Sequence, residues 1–261
     1  MRLQAIQLKG NAAGVGRFPA ICAPLVGRSQ ERLLAEAAVV AAKRPDIIEW
    51  RVDFFEAIGD AAQVVESARR IKQVTGGIPL LFTRRSAREG GEPIALAEAQ
   101  VVALYEAVCR AGDVDFVDFE MGNEPEDLRQ VRELSRAQGI QLILSFHDFA
   151  RTPPLDTLKQ RFAQAAQLGA DVAKVAVMPQ GMDDVLTLLS ATLQSSGELK
   201  IPLVSMSMGR FGAITRMCGW AFGSAMTFAV GESSSAPGQM EIADVEAAVS
   251  LLQKAIRPQD L

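Results

Sequence analysis

Lys174 stands inside an apolar run, Val172-Ala173-Lys174-Val175-Ala176-Val177, whereas the other six lysines (Lys9, Lys43, Lys72, Lys159, Lys200 and Lys254) fall in helix-like segments, turns or strand edges. A lysine in that position either snorkels to a rim or serves as an amine. An apolar cage with Arg51 or Arg85 nearby would penalise the ammonium form and yield a nucleophile able to form a Schiff base. The chain holds one histidine, His147, so sites built on two or three imidazoles are excluded. It closes the run Leu142-Ile143-Leu144-Ser145-Phe146-His147 on the face of Ser145. Glu89 and Asp118 as neighbours would fix its tautomer and bring its pKa near working pH, as a general acid/base requires. In Ile47-Ile48-Glu49-Trp50-Arg51-Val52-Asp53, period-two alternation puts Glu49, Arg51 and Asp53 on one face. Asp118 and Glu120 repeat the pattern, and Thr83-Arg84-Arg85-Ser86 ends another run. Structural ion pairs would account for such charges too, but three ionisable groups in one register favour a ligand.

Gly90-Gly91 after Glu89 lacks the Lys-Ser or Lys-Thr of a phosphate loop and reads as a tight turn that frees Glu89 to face a cavity. Met206 and Met208 alternate along a later run as an apolar wall. The segment after them, with Arg216 and the N-terminal amides of a helix, suits an anion. Residues 233–239, which include Pro237 and Gly238, suit a lid.

These side chains need a frame that gathers strand ends. Short runs rich in Val, Ile, Leu and Phe start near Pro19, Asp46, Ile78, Val114, Ile140, Asp171, Ile201 and Gly223, and helical spacing follows each. Ser29 is placed to cap a helix over residues 31–43, residues 96–110 carry helical spacing, and Pro125 suits a first turn. Eight such units predict a (β/α)8 TIM barrel with its site at the strand C-terminal ends, rather than a doubly wound sheet with a GxGxxG fingerprint. Residues 2–18 alternate around Lys9-Gly10-Asn11, which predicts an N-terminal β-hairpin closing the bottom of the barrel. No linker divides the chain, so one catalytic domain over residues 1–261 is expected, with a lid at 232–240.

With 261 residues, 49% of them hydrophobic, the chain can build a large core without disulfides. Its 27 basic residues are outnumbered by 31 acidic ones and form no run, so neither a nucleic-acid footprint nor a polybasic membrane anchor is expected. The expected partner is a small molecule. Cys22, Cys109 and Cys218 have no CxxC spacing and read as reduced thiols. No stretch approaches the ~18 apolar residues of a spanning helix, which predicts a cytoplasmic protein.

Taken together, Glu49-Trp50-Arg51-Val52-Asp53, Arg85-Ser86 with Glu89-Gly90-Gly91, Ser145-Phe146-His147-Asp148-Phe149, Lys174, Ser205-Met206-Ser207-Met208-Gly209 with Arg216, and Ser235-Ala236-Pro237-Gly238-Gln239 resemble the type I 3-dehydroquinate dehydratase family. The resemblance runs from about Pro19 to the C-terminus. It implies a stand-alone (β/α)8 homodimer of the shikimate pathway of aromatic amino acid biosynthesis, with neither metal nor organic cofactor. The implied reaction is syn elimination of water from 3-dehydroquinate to 3-dehydroshikimate through a lysine imine. Lys174 then matches the amine that condenses with the C3 ketone, and His147 the group that takes the C2 proton and protonates the leaving C1 hydroxyl. Glu89 matches the carboxylate that orients His147, and Asp118 is a further orienting candidate. Glu49, Arg51 and Arg85 match residues at the ring hydroxyls; Arg216, Ser235 and Gln239 match those at the substrate carboxylate and the lid. Met206, Met208 and Phe228 match the apolar lining. Two rivals share part of the pattern: a class I aldolase using the same lysine, and a barrel that only binds a small acid.

Overall fold

The period-two runs form strands because both faces are covered, one by the barrel interior and one by helices. Ile48 and Trp50 join the layer between strands and helices, while Ile47 joins the interior cluster with Cys22, Leu81 and Phe116. The computed structural model describes residues 4–8 and 18–256. Strands and helices alternate as β1 (Ala20–Leu25), α1 (Gln30–Ala42), β2 (Ile47–Arg51), α2 (Ala61–Val74), β3 (Leu80–Thr83), α3 (Glu98–Ala111), β4 (Phe116–Glu120) and α4 (Pro125–Ala137). The second half continues with β5 (Gln141–Asp148), α5 (Leu155–Gln167), β6 (Val172–Val177), α6 (Met182–Glu198), β7 (Leu203–Ser207), α7 (Ala213–Cys218), β8 (Met226–Phe228) and α8 (Ile242–Gln253).

All strands are parallel, in the order β7-β6-β5-β4-β3-β2-β1-β8. Closure between β7 and β8 comes from the parallel bridge Leu203↔Ser224 and a 2.7 Å bond from the Ala225 amide to the Leu203 carbonyl. This is the (β/α)8 barrel the sequence predicts, and each strand begins within three residues of its expected start. Ser29 caps α1, its Oγ accepting from the Arg32 amide at 3.3 Å, and Pro125 opens α4. Helix α3 starts at Glu98, two residues past Leu96, because the Gln100 side chain accepts from the Ala97 amide at 2.9 Å and sets the first turn there.

Trp50, Phe82, Tyr105 and Phe119 stack edge to face behind β2, β3 and β4, with centroids 5.7, 5.2 and 5.2 Å apart. Tyr105 ties this spine to the site. Its hydroxyl donates to the Asp118 carbonyl at 2.6 Å and accepts from the Arg84 amide at 3.0 Å, so the ends of β3 and β4 are held in a fixed relation.

Most of the expected N-terminal hairpin, including the Lys9-Gly10-Asn11 turn, lies outside the described residues. Residues 4–8 form no strand but cross the N-terminal end of the barrel. There Gln4 Nε2 donates to the Leu199 carbonyl at 2.7 Å, Gln141 Nε2 donates to the Gln7 carbonyl at 2.6 Å, and Ile6 joins the interior cluster.

Candidate active site

Alternation turns Glu49, Thr83, Asp118, Ser145 and Lys174 into the barrel, and register sets Ser145 beside Lys174 and Thr83 beside Asp118. Lys174 is 3% exposed. Its Nζ donates to Asp118 Oδ2 at 2.8 Å, lies 3.6 Å from Glu49 Oε1 and sits 4.6 Å from the Phe228 ring centroid. The cage is thus acidic, which corrects the expectation of apolar walls with an arginine against the amine. Carboxylates intercept both arginines: Arg51 forks Asp53 at 2.9 and 2.7 Å, and Arg85 Nη2 donates to Asp118 Oδ1 at 2.7 Å. Ser145 Oγ also donates to Asp118 Oδ1, at 2.6 Å. Burial opposes the Asp118 charge, yet Arg85 and Lys174 hold its carboxyl well below the usual range. Asp118 therefore hydrogen-bonds Lys174 and Arg85, and reaches the imidazole it was expected to flank only through its charge.

Among the described residues, the hydrogen-bond partner of the His147 imidazole is Glu89: its Oε2 lies 2.8 Å from Nδ1 and accepts the His147 backbone amide at 3.1 Å. Burial, reinforced by the positive charges of Arg85 and Lys174, pushes the His147 pKa well below its ordinary value. Burial, with Glu120 next in weight, raises the Glu89 carboxyl to about 8. These shifts replace the expectation of an imidazole pKa set near working pH by two carboxylates. Both follow from one cause, since a buried pair favours its uncharged forms.

Glu89 reaches this position on a single 3₁₀ turn, Ala87–Glu89, that follows β3 after three residues. Gly90 permits it: its φ is +82°, and an added Cβ would come within 2.4 Å of the Phe149 ring. Gly238 plays the same part in residues 231–239, with φ +76° and a Cβ that would meet the Gly209 carbonyl at 2.2 Å. That loop covers the mouth. Arg51 Nη1 donates to the Ser235 carbonyl at 3.3 Å, the Gly209 amide to the Pro237 carbonyl at 3.1 Å, and the Ser235 amide to Gln239 Oε1 at 3.0 Å.

These groups and the loop enclose a cavity at the strand C-terminal ends. Of the residues singled out in the sequence, Lys174, His147, Glu89, Glu49, Arg51, Arg85, Ser235, Gln239, Met206, Met208 and Phe228 line it. Phe149, Ala176 and Ala236 also line it and were missed. A signal existed for two of them, since Phe149 and Ala176 stand two residues beyond His147 and Lys174.

Asp118 and Arg216 sit behind the lining. Arg216 falls in the last turn of the six-residue α7, so it is its guanidinium, not the helix N-terminal amides that the sequence suggested, that stands behind the cavity wall. It is 1% exposed, with Nη1 donating to the Phe228 carbonyl and Nη2 to the Pro237 carbonyl, each at 3.2 Å. Burial lowers its pKa to about 10.

Fold and site together define a class: a (β/α)8-barrel enzyme with an internal lysine, an imidazole and several arginines at the strand C-terminal ends. Residues 21–256 match the family described as type I 3-dehydroquinase. The chain is 55% identical over 251 residues to a 3-dehydroquinate dehydratase of Albidiferax ferrireducens, spanning 96% of this chain and 95% of that one. It is similar to the crystal structure of 3-dehydroquinate dehydratase from Geobacillus kaustophilus, with TM-score 0.93 and 48% identity over 97% of this chain and 98% of that one. It is also similar to the type I enzyme of Clostridium difficile bearing covalently modified comenic acid, with TM-score 0.92 and 36% identity over 98% of this chain and all of that one. The chain belongs to the type I 3-dehydroquinase family, and as a member it is a hydro-lyase of the shikimate pathway.

Proposed function

We propose that this chain converts 3-dehydroquinate to 3-dehydroshikimate with Lys174 as the amine, His147 as the proton carrier and Glu89 as the group that orients His147. The observation that carries the assignment is one cavity into which a buried lysine and a carboxylate-held imidazole both project. Lys174 attacks the C3 ketone and water leaves, giving an imine. Protonated, the imine draws electrons from C2 as the neutral His147 Nε2 removes the C2 proton. The resulting enamine expels the C1 hydroxyl, which takes its proton from the imidazolium on the same face. Hydrolysis of the imine then frees Lys174.

Asp118 positions Lys174 through its 2.8 Å contact. Glu49, Arg51 and Arg85 face the ring hydroxyls, and Met206, Met208 and Phe228 pack the ring. Ser235 and Gln239 close over the substrate as a lid. Arg216 holds the substrate carboxylate: among the described residues its polar partners are two carbonyls and the Met206 thioether, so the buried cation lacks an anion. Arg216→Ala is expected to raise KM roughly 10- to 100-fold, the worth of a charge-assisted hydrogen bond, with a smaller change in kcat. An unchanged KM in steady-state assays would remove Arg216 from the carboxylate site.

A homodimer in the cytoplasm is part of the same proposal, supported by the family and by the absence, among the described residues, of any helix long and apolar enough to cross a membrane. The chemistry calls on no metal or organic cofactor, because the imine itself is the electron sink. Mixing the protein with 3-dehydroquinate and sodium borohydride should leave a reduced adduct that peptide mass spectrometry locates on Lys174. No adduct, together with no rise in enone ultraviolet absorbance in a parallel assay without borohydride, would favour an aldolase or a binding-only barrel instead.

A further inference from the structure

Glu120 ends β4 behind the cavity wall, 2% exposed and outside the lining. Its Oε1 accepts the Ser86 amide at 2.6 Å and Arg85 Nη1 at 3.1 Å. Ser86 immediately precedes the turn that carries Glu89, so Glu120 anchors the stem of that turn. It also competes for Arg85, whose Nη1 stands 3.7 Å from Glu89 Oε2, beyond hydrogen-bonding reach. Were Arg85 free to swing to Glu89, it would draw that carboxylate away from the imidazole.

We propose that Glu120 is a positioning residue of the reaction: by occupying Arg85 and the Ser86 amide it leaves Glu89 to His147, and its negative charge strengthens the Glu89–His147 pair as a base. The proposal rests on the assignment of that pair to proton transfer. The charges facing the pair are Arg85 from the end of β3, Asp118 and Glu120 from β4, and, acting on the imidazole, Lys174 from β6 and Arg51 from β2. Glu120 is the carboxylate that weighs most on Glu89. A pair that holds its proton more tightly accepts one from C2 more readily, and it becomes competent to do so only after losing the proton it already carries.

The test uses the single imidazole. In protein labelled with ¹⁵N-histidine, the only imidazole signal is His147, and its shift reports ionisation of Glu89 against Nδ1. Wild type should show a midpoint near 8, matching the raised Glu89 carboxyl. Glu120→Gln keeps the shape and the acceptor oxygen but removes the charge. It is expected to move this midpoint, and the acid limb of kcat, down by about one pH unit or more while lowering plateau kcat about threefold. Glu120→Asp, which keeps the charge, should leave the midpoint within about 0.3 unit of wild type. An unmoved midpoint in folded Glu120→Gln overturns the proposal. So does a wild-type midpoint near the ordinary glutamate value of about 4.3, a result that needs no variant to fold. The titration uses no substrate, so it stands apart from the functional reading: a midpoint shift without a limb shift would sink the proton-transfer role of the pair and, with it, this role for Glu120.

Discussion

Lys174→Met is expected to give a folded protein without measurable dehydration, a fall in kcat on the order of 10⁵ or more. Without the amine, the C2 proton must leave beside a neutral ketone, and the carbanion finds no cationic imine to receive its electrons. Methionine keeps much of the apolar stem against the Phe228 ring, which in the wild type lies 4.6 Å from the amine. The carboxylates around it are not left bare: Asp118 retains Arg85 at 2.7 Å and Ser145 at 2.6 Å, and Glu49 retains the Thr83 hydroxyl at 3.0 Å. Unpaired buried charge is the usual reason such a variant unfolds, so circular dichroism and a thermal melt close to wild type are expected alongside the lost turnover. Borohydride should trap no substrate on the variant. Turnover within about 100-fold of wild type, followed by enone absorbance, would place the electrophilic step elsewhere.

The frame of this site is legible in the sequence for a physical reason. Strands of a parallel barrel bury both faces, so apolar runs are continuous and a charged residue inside one stands out, as Lys174 does in β6 and Glu49 in β2. Period two then assigns each such residue to the inward face. What period two does not supply is height along the barrel axis, and height decides partners. Asp118 and His147 both point inward from neighbouring strands, but register sets Asp118 opposite Ile143, four residues short of His147, at the level where Lys174 and Ser145 reach it. The charge pattern of β2 misled for a related reason. The strand stops at Arg51 and the chain turns through Val52–Phe54, which swings Asp53 back to fork Arg51 and to accept the Arg85 amide at 3.1 Å. The acidic cage and the protonation of the Glu89–His147 pair both follow from these partners, so neither could be read before the strands were in register.

His147→Ala separates the two chemical roles. Imine formation needs only the amine and the ketone, so the variant should still be trapped by borohydride on Lys174, while elimination slows by about 10²- to 10⁴-fold, the worth of a positioned acid/base. The pH profile should change with it. In the wild type, turnover rises with pH as the Glu89–His147 pair loses its proton, because only then can Nε2 accept one from C2. With the Glu89 carboxyl raised to about 8 by burial and by Glu120, that limb lies on the alkaline side of neutrality. Removing the imidazole should erase the limb and leave a slow, weakly pH-dependent rate. The alanine leaves a gap beside Phe149, whose ring stacks on the imidazole at 6.5 Å, and free imidazole is small enough to enter it. Added imidazole should therefore restore part of the rate in proportion to its unprotonated fraction. A variant that turns over at nearly the wild-type rate, with the limb intact, would assign both proton transfers to another group in the cavity.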